Sequence, residues 1–274
     1  YGSFTPFRAD LPGLAAGPHL VAVRIDNRLT DEDTLPLRRV DWYNYGGIFR
    51  SVELTRFGRV SIDSIGLRAS WEGDVPTAVT ARVTVKNWDE DHASACDLSV
   101  NADWGDEGRV SVRVPAGEAV EATVEIEIGP VQLWSCENPV LYDVAASVDG
   151  DDCLERFGFR RLEVRDRQIL LNGKPLRLRG VNRHHEQSMV GFAVPLQLIR
   201  RDLDIARDLG VNAIRGSHYP NDPLVLDLCD EMGIVFWEEL PFWNHPAQAC
   251  ANPRLQRRAQ TMLEEMIRRD RNHP

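Results

Sequence analysis

Three short polar clusters in this chain each follow an apolar run: Asn182–Glu186, Arg215–Tyr219 and the pair Glu238–Glu239. They offer histidines, an arginine and carboxylates, with Trp237, Phe242 and Trp243 close by in sequence. That combination suits a sugar, because aromatic faces stack on a pyranose ring while charged and polar groups take its hydroxyls. Each residue also has a plainer role open to it. Arg215 on a buried strand fits a structural ion pair, with Glu238 as its partner. His218, ahead of Tyr219-Pro220, fits a hydrogen-bonded turn histidine. Asp41, beside the aromatic loop Trp42–Tyr45, fits a turn residue. His184 and His185 are of metal-ligand type, but adjacent side chains project differently and no third ligand stands out.

These clusters act together only if the fold brings them together, and Val211–Glu239 indicates how. Asn212–Ile214 is a short apolar strand ending in the loop that carries Arg215, His218 and Tyr219. Asp222 suits a helix N-cap, and Pro223 suits the first helical position, where its missing N–H costs nothing. Val225, Leu228, Cys229 and Met232 recur at helical spacing, and Gly233 stands where helices commonly close. Ile234–Trp237 is again apolar and stops at the two glutamates. Strands buried on both faces, each ending in polar residues, predict a parallel α/β barrel with its site at the strand C-termini.

The flanks fit this pattern. Ile169–Leu178 reads as a hairpin around Asn172-Gly173, a type I′ turn pair, and Leu176–Val181 leads into the first polar cluster. Leu196, Ile199, Leu203, Ala206 and Leu209 make one helix face. Leu255, Ala259, Met262, Met266 and Ile267 make another, with Arg268, Arg269 and Arg271 suited to its C-terminal dipole. About three strands and three helices of an eightfold barrel are expected from Val164 onward.

Earlier in the chain the period is two. Val79/Ala81/Val83/Val85, Leu98/Val100, Val110/Val112/Val114, Val124/Ile126/Ile128 and Val140/Tyr142/Val144/Ala146/Val148 alternate between turn-rich stretches. Six or seven short strands in roughly a hundred residues predict an immunoglobulin-type β-sandwich, with Trp71, Trp88 and Trp104 as packing or surface residues. Residues 1–57 read as β-structure with long loops, Leu20–Ile25 and Ile48–Leu54 being the strands. So short a segment buries little core by itself.

Composition narrows the partners. The 274 residues are 43% hydrophobic and 27% charged, with a net charge of −10, which argues against nucleic acid or anionic membrane as partner. No apolar run is long enough for a transmembrane helix. The five cysteines (96, 136, 153, 229 and 250) have no CxxC spacing, which favours reduced thiols over a disulfide frame or zinc site. Two lysines stand against thirty arginines, a bias ascribed to base composition.

Four motifs in order, DWYNYGGIFRSVEL, LWSCENPVLYDV, LNGKPLRLRGVNRHHE and SHYPNDPLVLDLCDEMGI, resemble glycoside hydrolase family 2, the β-galactosidases, β-glucuronidases and β-mannosidases. The resemblance covers essentially the whole chain. It implies a multidomain β plus α/β fold: the end of a jelly-roll β-sandwich in 1–57, an immunoglobulin-like β-sandwich in 58–163, and the first part of a TIM (β/α)8 barrel in 164–274. It implies that Asp41 reaches from the jelly roll to the sugar, that His184 and His218 hydrogen-bond glycone hydroxyls, and that Arg215 lies near the nucleophile. The implied chemistry is retaining hydrolysis of a β-linked glycoside or oligosaccharide by two glutamates about 5 Å apart. Both glutamates would lie beyond Pro274, so the chain is expected to be short at both ends and, as given, inactive. Glu238 and Glu239 sit on the wrong strand for either role. Phe242 and Asn244 stand where magnesium-dependent β-galactosidases carry metal ligands, so neither metal nor cofactor is expected. Homo-oligomerisation of the full-length protein and a cytoplasmic location are further expectations. Two rivals are a non-catalytic carbohydrate-binding or scaffold protein and a metal-dependent hydrolase using His184, His185, His218 and Glu238.

Overall fold

Period-two alternation becomes seven antiparallel strands in the computed structural model, which describes residues 2–11, 13–105 and 107–274. They are β1 (Val60–Glu72), β2 (Val75–Asn87), β3 (Ser94–Ala102), β4 (Gly108–Val114), β5 (Ala119–Glu127), β6 (Tyr142–Val148) and β7 (Asp151–Phe157). They form a sheet ordered β1-β2-β5 and a sheet ordered β4-β3-β6-β7. Inward residues of both sheets share one core, in which Val79, Ala81, Val83 and Val85 of β2 and Leu98, Val100, Val144 and Ala146 opposite lose all solvent contact. β1 and β7 escaped the alternation pattern for physical reasons. A register shift between Ile62 and Ser64 breaks the period of β1, and β7 is a polar edge strand. Trp104 is buried in this core, and the Trp88 indole donates to Ser61 Oγ at 2.8 Å.

After Phe157 the chain makes a small antiparallel sheet from β8 (Leu162–Arg165), β9 (Gln168–Leu171) and β10 (Lys174–Pro175). The β9–β10 turn is the expected Asn172-Gly173 pair, both at positive φ (52° and 76°), as a type I′ turn demands. Three parallel strands follow: β11 (Gly180–His184), β12 (Ala213–Ser217) and β13 (Val235–Glu238), with β12 central. Helices α1 (Leu196–Asp208) and α2 (Pro223–Met232) cross between them, and α3 (Ala247–Cys250) and α4 (Pro253–Asp270) come after β13. Helix α2 is capped as its sequence requires. Asp222 accepts from the Leu224 N–H at 3.1 Å, Pro223 starts the helix, and Gly233 closes it at φ 70°. On α1 the buried face is Ile199, Leu203 and Ala206, while Leu196 and Leu209 are exposed.

Two expectations need correction. Burial of every barrel strand on both faces holds for β12 only in part, and β11 and β13 stay largely open. Each of them has a neighbour on one side only among the described residues. The second correction concerns residues 1–57. No strand forms among the described residues there, neither at Leu20–Ile25 nor at Ile48–Leu54. An alternating sequence becomes a strand only against a hydrogen-bonding neighbour. These two segments have none, and Leu20, Val52 and Leu54 are more than three-quarters exposed. The segment is held instead by a few buried side chains. Leu35 and Leu37 pack against Ala249, Leu255 and Met262 of α3 and α4, while Phe4 and Trp42 pack against Phe192 and Tyr219.

The sandwich and the α/β part are joined through helix α2. The Trp134 ring is wholly buried, and its indole donates to the Asp230 carbonyl at 2.9 Å. Arg156 of β7 bonds Asp227 at 2.8 Å and Glu231 at 2.7 Å. Asn272 completes the junction, accepting from Leu67 N–H and donating to the Ile65 carbonyl of β1. All five cysteines are free, Cys229 buried and the others half-buried. No helix is long and apolar enough to cross a membrane.

Candidate active site

Parallel pairing puts the ends of β11, β12 and β13 side by side. Asn182 lies beside Arg215, Arg215 beside Trp237, and His184 beside Ser217. The three polar clusters therefore meet at one end of the sheet. His184 and His218 rings lie 5.2 Å apart, edge to face. Asp41 comes in from the strandless segment, its Oδ1 3.9 Å from His218 Nε2. One ligand atom each of Asp41, His184 and His218 falls within 4.8 Å of the others. Thus all four residues singled out by sequence, Asp41, His184, Arg215 and His218, converge.

Aromatic rings close the back of this pocket. Trp42 lies 5.6 Å from His218 and 6.3 Å from His184, and Trp243 lies 5.4 Å from His218. Trp42 is the residue that sequence reasoning undervalued. Its signal was adjacency to Asp41, whose arrival in the pocket carries the ring along. Phe242 does not line the site. It packs with Leu35, Leu37 and Leu255 and sits 4.5 Å from His245. Trp237 is two-thirds exposed.

Arg215 is held in a bidentate pair by Glu239, with Nε–Oε1 2.6 Å and Nη2–Oε2 2.9 Å, a geometry that fixes the guanidinium plane. The partner is Glu239, not the Glu238 expected from sequence. Successive strand residues face opposite ways. Glu238 faces α4, accepting from the Asn221 N–H at 2.8 Å and from Arg269 at 3.1 Å. Burial, aided by the neighbouring Asp270 charge, raises the Glu238 carboxyl above the usual range. Arg215 also reaches Ser217 Oγ at 3.2 Å, and His218 Nδ1 lies 3.1 Å from both Arg215 and Glu239.

The two adjacent histidines diverge. His185 is buried and its Nδ1 lies 3.3 Å from Arg183; burial pushes its pKa down to about 3. His184 opens to the pocket, and burial with the nearby His218 lowers its pKa too. The Tyr219 hydroxyl accepts from the His185 N–H at 3.2 Å and lies 3.5 Å from His184 Nδ1. His185 and Glu238 thus turn away from the pocket, and the ligand set of the metal-hydrolase rival is not assembled. Asp227, Asp230 and His273 at the sandwich junction form the other group of metal-compatible geometry among the described residues.

An antiparallel sandwich leads into β/α units with histidines, an arginine and carboxylates at the parallel strand ends, the place where α/β-barrel proteins carry their sites. Comparison with known proteins gives the family. Residues 60–160 match the model of glycosyl hydrolases family 2, and 162–274 match the TIM barrel domain of that family. The chain belongs to glycoside hydrolase family 2. It is 29% identical over 283 residues to a putative beta-glucuronidase of Formosa agariphila, covering 100% of this chain and 33% of that protein. It is 32% identical over 286 residues to a beta-galactosidase of Thermoanaerobacter pseudethanolicus, covering 100% of this chain and 37% of that protein. The chain therefore spans about a third of the length of these curated relatives. Among solved structures it superposes on a GH2 beta-galacturonidase from Eisenbergiella tayi bound to galacturonate with TM-score 0.84 and 32% identity, covering 91% of this chain and 45% of that one.

Proposed function

We propose that Asp41, His184 and His218, with Arg215 beside them, form the glycone-binding side of a retaining exo-β-glycosidase that acts on a β-galactoside or β-glucuronide. The observation that carries this reading is the convergence of Asp41 and the two histidines within 4.8 Å at the strand ends of a family 2 barrel domain. The chemistry of each group supports it. Asp41 is a half-exposed carboxylate, an acceptor for sugar hydroxyls. The Tyr219 hydroxyl accepts from the His185 N–H and lies 3.5 Å from His184 Nδ1. Burial and the nearby His218 favour the neutral His184 ring, which carries one N–H donor and one acceptor nitrogen able to meet a hydroxyl. The names of the two relatives support the sugar class.

Retaining hydrolysis needs two carboxyl groups about 5 Å apart, one as acid/base and one as nucleophile. Glu239 is taken up by Arg215, and the acidic groups whose charge reaches His184 are Asp41 and Glu186, with no pair of carboxyls among the described residues of the pocket shown at that spacing. We therefore propose that these 274 residues bind the glycone but do not hydrolyse it, residues 58–163 serving as scaffold and 164–274 as the barrel part. A panel of nitrophenyl β-glycosides tests this with two proteins, the 274-residue chain and the gene's product read to its own stop codon. Hydrolysis of one glycoside by the longer product alone is the expected result. Turnover co-eluting with the 274-residue chain sinks the inactivity. Silence from both across galactoside, glucuronide, mannoside and glucoside sinks the enzyme reading in favour of a carbohydrate-binding protein.

A further inference from the structure

We infer that Arg50 is a positioning residue for this pocket: it clamps the segment carrying Asp41 and Trp42 onto the turn that follows His218, and so sets where Asp41 stands relative to the two histidines. The inference rests on the reading of Asp41 as a glycone contact. Its basis is the way residues 2–57 are attached. With no strand hydrogen bonds among the described residues there, side chains must hold the segment. Arg50 reaches three places at once. It donates to the Phe4 carbonyl at the start of the segment and to the Pro220 carbonyl at 2.6 Å, and its Nε lies 4.0 Å from Asp222, the N-cap of α2.

Pro220 is two residues beyond His218. The next carbonyl, of Asn221, accepts from Arg269 of α4 at 2.9 Å. Two arginines from distant parts of the chain thus grip consecutive carbonyls of one turn. Phe4 stacks on Tyr219 at 4.4 Å with ring planes 7° apart, and Trp42 meets the same ring at 5.5 Å. Both ends of the Arg50 clamp therefore close on the residue adjacent to His218.

The guanidinium is 18% exposed, and burial pushes its pKa down to about 10, with the Arg269 charge adding to the effect. A buried cation offered mainly neutral carbonyls costs desolvation that surface packing does not require. Arginine suits the task because its planar fork presents several donors in fixed directions. Asp41 itself is half exposed, its Oδ1 3.9 Å from His218 Nε2. Its position is therefore set by the backbone that carries it, which Arg50 pins.

The test is a double-mutant cycle in the gene's complete product, with kcat/KM on the best nitrophenyl glycoside and Tm measured side by side. Asp41→Ala and Arg50→Ala should each lower kcat/KM by about tenfold to a hundredfold, the range for hydrogen bonds to charged groups. If Arg50 acts through Asp41, adding Arg50→Ala to Asp41→Ala lowers kcat/KM little further, while the Tm loss from Arg50→Ala stays the same in both backgrounds. Arg50→Lys, which keeps one donor, should recover part of the turnover. Should Arg50→Ala fail to fold, Arg50→Lys and Arg50→Gln run the same cycle. Losses in kcat/KM that multiply overturn the inference and leave the site reading standing. An Asp41→Ala enzyme with unchanged kcat/KM overturns both.

Discussion

Replacing Trp134 should uncouple the sandwich from the barrel part, and the size of the effect follows from its surroundings. The ring is wholly buried, and its backbone N–H donates to the Phe159 carbonyl while its carbonyl accepts from Asn172. The indole N–H serves the Asp230 carbonyl in the last turn of α2, one of the carbonyls that a helix end leaves without an intrahelical partner. Trp134→Phe keeps most of the ring volume and strands that carbonyl, a loss of about 1–3 kcal/mol. Trp134→Ala adds a cavity, and large aromatic truncations cost about 3–5 kcal/mol in well-packed sites. For a chain of this size each kcal/mol moves Tm by about 2–4 °C, so the alanine variant should melt about 6–20 °C lower and the phenylalanine variant roughly half as far. Differential scanning calorimetry with amide exchange on α2 and on β2 checks both size and place. Protection should fall in α2 while the β2 core, built from residues that do not touch Trp134, keeps its own. A Trp134→Ala protein melting within 3 °C of the parent, or losing β2 protection first, would refute the assignment of this ring as the junction.

Two pH effects follow from the buried groups. The folded Glu238 carboxyl holds its proton to higher pH than the unfolded one, so the folded state binds more protons above the ordinary glutamate range and stability falls as pH rises out of it. Glu238→Gln should therefore gain stability relative to the parent at pH 8 but not at pH 4, and a Tm difference independent of pH would rule this out. His273 behaves in the opposite chemical sense. Burial works to lower its pKa, but the hydrogen bond and charge of Asp230, 2.5 Å away, outweigh it and raise the value. That stabilisation is complete below the ordinary histidine range and is lost as pH rises through the raised value. His273→Asn should cost stability at pH 5.5 and progressively less towards pH 9; a cost that grows with pH would contradict the pairing.

What could be read from residues alone was local or repetitive. Caps, helical spacing and the Asn172-Gly173 turn depend on neighbours a few positions away, so the β12–α2–β13 unit and the hairpin were legible. The sandwich strands were legible wherever alternation was unbroken. That Asp41, His184, Arg215 and His218 come together was legible because strand ends in a parallel sheet must meet, and the motif resemblance supplied Asp41. Tertiary structure alone decided the rest. Whether Glu238 or Glu239 holds Arg215 turns on a one-residue choice of face, which only the completed sheet makes. Phe242, expected at the pocket, stays away from it and Trp42 lies there instead, because packing against α4 and Tyr219, distant in sequence, determined which ring reached it. Leu20–Ile25 and Ile48–Leu54 have strand-like sequences yet form no strand, because a strand is a property of a pair. Side-chain types and short-range periods are carried by the sequence itself, whereas burial, partnership and facing are relations between distant segments and exist only once those segments meet.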